Sequence, residues 1–184
     1  MAQEVLGELD LLRRWSRYGE VVVVVGSVGL ELVVAPDIDL EIWSDEPRVT
    51  DGFAVLGELA ELPRVRRITY LDARDRHERG QYWKLEYERM PDETWTVDMW
   101  VFAHGSGVTA GAGLTAELRD KLTRQDRDAI LAVKEEAAEL GERAPGYWLY
   151  QAVVDGGVQT YDSFRSWLGD RNIYERTDWL PHRS

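Results

Sequence analysis

The sequence predicts an α+β protein, with strands and helices mixed in its first part and helices alone in its second. Three observations carry that reading. Val21 to Val25 is a continuous β-branched run, preceded by a segment of helical period. Asp37 to Trp43 (DIDLEIW) alternates acidic and apolar residues with period two. Beyond Gly113 the apolar residues return to helical spacing.

Residues 3–17 place Val5, Leu9, Leu12 and Trp15 on one helical face, and Gly19 follows where a C-terminal cap belongs. Val21 to Val25 is predicted to be a strand buried on both faces, ended by the turn Gly26-Ser27. Val28 to Val34 has room for about two helical turns before Pro36, which biases Ala35 to an extended conformation. In the next strand Ile38, Leu40 and Ile42 share one face, and Asp37, Asp39 and Glu41 share the other. A helix follows with Asp51 as N-cap, Phe53, Leu56, Leu59 and Ala60 on its apolar face, and Pro63 beyond its end.

A strand is expected from Val65 to Tyr70, then a charged, solvated loop over 72–80. Residues 82–89 and 94–102 form a strand pair joined through Pro91-Asp92-Glu93. Pairing Met90 with Thr94 sets Glu86 opposite Asp98 and Lys84 opposite Trp100. The Gly-rich stretch 103–113 is a flexible connection or a lid. In the helical remainder Thr115 is a candidate cap, and Ile130, Val133, Ala137 and Leu140 form a stripe closed by Gly141. Shorter helices are expected over 146–155 and 161–169, the latter carrying Tyr161, Phe164, Trp167 and Leu168.

A chain of 184 residues with 44% hydrophobic content can bury one sizeable core and a small appendage. The expected division is a core over residues 1–103 and a mostly helical region over 104–184, packed on the core as one unit. No apolar run is long enough to span a bilayer, and MAQEVLGELD lacks the basic start and apolar centre of a signal peptide. A soluble, cytoplasmic protein without a membrane partner is expected. With no cysteine, disulfides, thiolate zinc sites and cysteine nucleophiles are excluded, and a metal must be held by oxygen or by His77, His104 and His182. Acidic side chains number 34 against 22 basic, and the formal charge of −12 disfavours nucleic acid as a partner.

The chemistry is concentrated in one pattern: a buried strand, Gly26-Ser27, nine intervening residues, then Asp37-Ile38-Asp39-Leu40. A glycine turn lets backbone N–H groups approach a phosphate, and the Ser27 hydroxyl adds a further donor. Two aspartates on one strand face can share a hard cation such as Mg²⁺. Asp98, set among Val97, Met99 and Trp100, is costly to bury without a partner or a metal. Glu41 shares the aspartate face and either joins the metal or reaches solvent. Glu86 and His104 are weaker candidates.

This pattern resembles the nucleotidyltransferase superfamily that includes DNA polymerase beta, antibiotic nucleotidyltransferases and the minimal nucleotidyltransferases. The resemblance covers roughly residues 1–103 and implies a mixed β-sheet flanked by helices, followed here by a helical C-terminal region. It further implies an enzyme that moves a nucleoside monophosphate from a nucleoside triphosphate, ATP among them, to an acceptor hydroxyl. Gly26 and Ser27 then bind the nucleotide, and Asp37, Asp39 and Asp98 are catalytic residues that hold Mg²⁺ or Mn²⁺. Asp98 matches the family's third carboxylate and helps to deprotonate the acceptor. Many members carry an arginine and another glycine after the serine, whereas this chain reads Val28-Gly29-Leu30-Glu31-Leu32. The compensating cation is then sought in Lys84, in Arg74, Arg76 and Arg79, or in Arg124 and Arg127. A small-molecule acceptor is expected ahead of protein or RNA. The rival reading is a catalytically idle module of the same fold that binds a nucleotide or a partner protein.

Overall fold

The computed structural model describes residues 1–107, 111–173 and 179–181. In chain order it contains α1 (Ala2–Glu8), α2 (Leu11–Trp15), β1 (Val21–Val25), α3 (Gly26–Gly29), β2 (Asp37–Ser44), α4 (Val49–Ala60), β3 (Val65–Ala73), β4 (Gly80–Met90) and β5 (Glu93–Ala103). Four helices follow: α5 (Gly111–Lys121), α6 (Arg124–Glu139), α7 (Gly146–Gly156) and α8 (Tyr161–Leu168). The chain divides into two compact units, Met1–Val28 with Pro36–Ala112, and Gly29–Ala35 with Gly113–Ser184. No described helix is long and apolar enough to cross a membrane.

The first unit is built on a mixed five-stranded sheet of order β1-β2-β5-β4-β3. β2 runs parallel to β5, and every other pair is antiparallel. Alternation along the strands separates the two faces. Ile38, Leu40 and Ile42 of β2, Val97 and Met99 of β5, and Trp83 and Leu85 of β4 are all buried in one core with residues of α1, α2 and α4. Each such side chain contributes about 1.5–3 kcal/mol through burial. Trp15 donates its indole N–H to the Met99 sulfur at 3.2 Å, and Arg14 of α2 and Arg17 just beyond that helix both pair with Glu58 of α4.

Several sequence expectations change here. The predicted first helix is broken at Asp10, whose φ of 49° and ψ of 37° are left-handed. The break resets the helical phase, so Leu11 is buried while Leu12 is 42% exposed. β1 is an edge strand with one neighbour, not a strand buried on both faces: Val22 and Val24 pack on the core, and Val21 lies open. The helix expected over 28–34 is the single turn α3, after which Glu31 takes a φ of 60°. Asp51 lies in the first turn of α4 instead of capping it, because the helix already starts at Val49. Phe53 is 55% exposed, with its ring edge-on to Trp83 at 4.7 Å.

The β4–β5 hairpin is tighter than expected. Only Pro91 and Asp92 form the connection, Asp92 has a φ of 66°, and the pairing is irregular between Glu88 and Met90. The register therefore moves by two residues. Lys84 lies opposite Asp98, Glu86 opposite Thr96, and Tyr82 opposite Trp100.

The second unit has its own core, in which Leu114, Leu118, Ile130, Val133, Ala137, Leu149, Val153 and Phe164 are buried together with Leu30 and Leu32. Arg127 and Lys134 of α6 donate to the carbonyls of Leu30 and Leu32 at 2.7 and 3.0 Å. Thr115 is buried within α5 and does not cap it. Thr123 caps α6 through a reciprocal capping box with Asp126, and Thr160 caps α8 in the same way with Ser163. Leu140 falls at the C-cap of α6 and is exposed, so the apolar stripe ends at Ala137.

Candidate active site

The polar face of the sheet gathers its carboxylates because β2 and β5 are parallel and in register. Asp39 pairs with Asp98, and Asp37 with Thr96. One carboxylate oxygen from each of Asp37, Asp39 and Asp98 lies within 4.8 Å of the others, and all three side chains are half-buried. Thr96 donates its hydroxyl to Asp37 Oδ1 at 2.5 Å. On the other flank Tyr82 donates to Asp98 Oδ1 at 2.7 Å, and the Lys84 ammonium lies 3.3 Å from the same oxygen. Burial first, then the bond to Asp98 and the charges of Asp98, Asp37 and Asp39, push the Tyr82 phenol above its ordinary value. It therefore remains a donor throughout the neutral range.

The Gly26-Ser27 turn is brought to the same place by the β1–β2 pairing, in which Val25 lies opposite Asp39. Gly26 has a φ of 61°, and a Cβ at this position would approach Asp39 Oδ2 to 2.6 Å. Only glycine combines that left-handed backbone with so close an approach to the carboxylate. Ser27 follows in the single turn of α3.

Glu41 belongs to the same face and does something else. It is 2% exposed, and its carboxylate accepts from the backbone N–H groups of Gly111 at 2.7 Å and Ala112 at 3.0 Å. A negative side chain here satisfies the first donors of α5 and suits the positive end of its dipole. That supplies the helix start for which Thr115 is too late. Gly111 is also fitted to the contact, since a Cβ there would meet Glu41 Oε1 at 2.8 Å. Glu41 thus neither reaches solvent nor joins the aspartate group.

Among the cations weighed from sequence, Lys84 is placed against the trio. Arg74 pairs with Asp72 and holds that carboxylate down to about 2. Arg79 donates to the Ser106 carbonyl, Arg124 lies 3.9 Å from Asp128, and Arg127 serves the Leu30 carbonyl. Glu86 is 3.4 Å from Arg67, and His104 is 3.8 Å from Glu20. His77 lies 3.2 Å from Glu78; His182, and part of the 103–113 stretch, fall outside the described residues. Sequence reasoning missed Tyr82 and Thr96. The two-residue connection at Pro91-Asp92 supplies half of that register, and the irregularity between Glu88 and Met90, which sequence does not signal, supplies the rest and sets Lys84 opposite Asp98.

No protein-family model and no curated protein matches the chain. Solved structures do. A cytoplasmic RNA terminal U-transferase aligns at 20% identity with a TM-score of 0.55, over 83% of this chain and 46% of that one. The Cid1 poly(U) polymerase bound to Mg and 3'-dATP gives 20% identity and 0.55, over 83% and 47%. A MgATP-bound form of the same polymerase gives 0.56 over the same shares. This chain therefore spans less than half the length of these proteins. Its fold is the nucleotidyltransferase fold, an α+β mixed sheet with packed helices.

Proposed function

We propose that the protein is a metal-dependent nucleotidyltransferase that moves a nucleoside monophosphate from a nucleoside triphosphate to an acceptor hydroxyl. The observation that carries this is the convergence of Asp37, Asp39 and Asp98 within 4.8 Å beside a glycine turn, on the nucleotidyltransferase fold. The donor set suits Mg²⁺ or Mn²⁺, since three carboxylates supply the hard oxygens these ions prefer, and the ions accept phosphate oxygens as further ligands. Asp37, Asp39 and Asp98 would hold the metal, which supplies charge stabilisation at the transferred phosphoryl group.

The residues divide the remaining work. Gly26 and Ser27 bind the nucleotide phosphates through backbone N–H groups and the Ser27 hydroxyl. Thr96 and Tyr82 hold Asp37 and Asp98 in place. The acceptor oxygen bonds to the α-phosphorus, the bond to pyrophosphate breaks, and the hydroxyl proton passes to Asp98. No protein nucleophile is needed. A cytoplasmic location, where nucleoside triphosphates are at hand, is part of the proposal.

The acceptor is proposed to be a small molecule, supported by a formal charge of −12 that repels a polyanion. The fold neighbours are an RNA terminal U-transferase and a poly(U) polymerase, so an RNA 3′ hydroxyl is the contrasting acceptor. The test is transfer of labelled nucleotide from each of the four triphosphates, with Mg²⁺ or Mn²⁺, to a pool of small hydroxyl compounds and to an oligoribonucleotide. Labelled small-molecule product supports the reading, and labelled RNA alone replaces the acceptor. One observation favours a catalytically idle module instead: Lys84 already neutralises part of Asp98, and no basic residue stands between Val28 and Leu32. Nucleotide binding without transfer to any acceptor would select that alternative.

A further inference from the structure

The β4–β5 register brings two different donors to one atom. Tyr82 Oη and Lys84 Nζ lie 2.7 and 3.3 Å from Asp98 Oδ1. Tyr82 is neutral and directional. It fixes the carboxylate plane without adding charge. Lys84 is a cation on the strand adjacent to β5, directly opposite Asp98, and it offsets part of the mutual repulsion among the three carboxylates. The same positive charge opposes any second cation that approaches the group.

We propose that Tyr82 and Lys84 are positioning residues that set the divalent-metal affinity of the aspartate trio in opposite senses. Tyr82 raises it by presenting Asp98 in a fixed orientation, and Lys84 lowers it by acting as a resident counter-cation. This rests on the metal-binding reading of the trio given above. The consequence is a site that stays assembled without metal and yields to Mg²⁺ only at a concentration that competes with the Lys84 ammonium. Partial exposure of both Lys84 and Asp98 leaves the ion pair able to open as a metal enters.

The test is Mn²⁺ binding to the full chain, followed by electron paramagnetic resonance titration, with no transfer reaction involved. Tyr82→Phe is expected to weaken Mn²⁺ by about ten-fold, in the range usual for residues that orient metal ligands. Lys84→Met is expected to tighten it by about three- to ten-fold at low salt, with the gain shrinking as salt rises. Lys84→Arg, which keeps the charge, should stay near wild type, and Lys84→Gln repeats the charge removal with a polar side chain should the methionine variant fold poorly. Two variants that shift in the same direction, or that both bind Mn²⁺ as wild type does, overturn the proposal while leaving the metal site standing. If wild type and Asp39→Asn alike bind no Mn²⁺, the metal reading fails and this inference fails with it.

Discussion

The two faces of the β-sheet are written by the same strands and obey different rules. On one face Ile38, Leu40, Ile42, Val97 and Met99 are buried in a continuous core. On the other, one residue along each strand, Asp37, Asp39 and Asp98 are held half-buried with their oxygens together. The apolar face gains by exclusion of water, and its members are interchangeable with side chains of similar volume. On the acidic face like charges lie at close range, Thr96 contacts Asp37 while Tyr82 and Lys84 contact Asp98, and no member can be replaced on volume alone. Within that face Glu41 and Asp39 differ again. Glu41 is spent on the backbone of α5, whereas Asp39 faces Asp98 and the Gly26 turn.

The sharpest way to break this contrast is Asp39→Asn, which preserves shape and removes charge. On the proposed function, transfer should fall by about three orders of magnitude while the urea midpoint stays level or rises, because one source of repulsion is gone. Transfer at the wild-type rate would remove Asp39 from the chemistry. The opposite face should show the mirror image. Leu40→Ala is expected to cost about 2–5 kcal/mol in equilibrium unfolding, with kcat in the folded fraction little changed. A cost near zero would mean that Leu40 is not core.

Glu41→Gln sharpens the comparison within the acidic face. Weaker acceptance from Gly111 and Ala112 is expected to cost about 1–2 kcal/mol, with transfer within a few-fold of wild type. A loss of transfer as large as that of Asp39→Asn, in protein that melts normally, would move Glu41 into the catalytic group. The smallest effect belongs to a surface pair. Arg74→Ala breaks the contact with the exposed Asp72 and should leave the urea midpoint at the wild-type value. A drop in apparent affinity for nucleotide in that variant would instead make the β3–β4 loop a triphosphate contact.

The aspartates of β2 were legible because period two and a short motif are local properties. Asp37 and Asp39 had to share a face, and Gly26-Ser27 had to turn. The supporting residues were not legible, because each depends on register. Moving the β4–β5 pairing by two residues exchanges Glu86 for Lys84 opposite Asp98 and so reverses the sign of the neighbouring charge. One member of the first apolar stripe departs for a related reason. Val5, Leu9 and Trp15 are buried as their spacing predicts, but the left-handed Asp10 breaks the helix and puts Leu11 in the core in place of Leu12.

What the sequence determined by itself is which residues share a face and where the chain turns after β1, since backbone periodicity and glycine's freedom need no partner strand. What only the tertiary structure decided is which faces meet. The parallel pairing of β2 with β5 sets Asp98 beside Asp39, although 58 residues separate them in the chain. The antiparallel pairing of β4 with β5 chooses Tyr82 and Lys84 as the partners of Asp98. The fold of the sheet ends Glu41 on the first amides of α5 instead of in water. Hydrogen-bond register and side-chain packing act between distant segments, and their outcome is settled only when the strands are side by side.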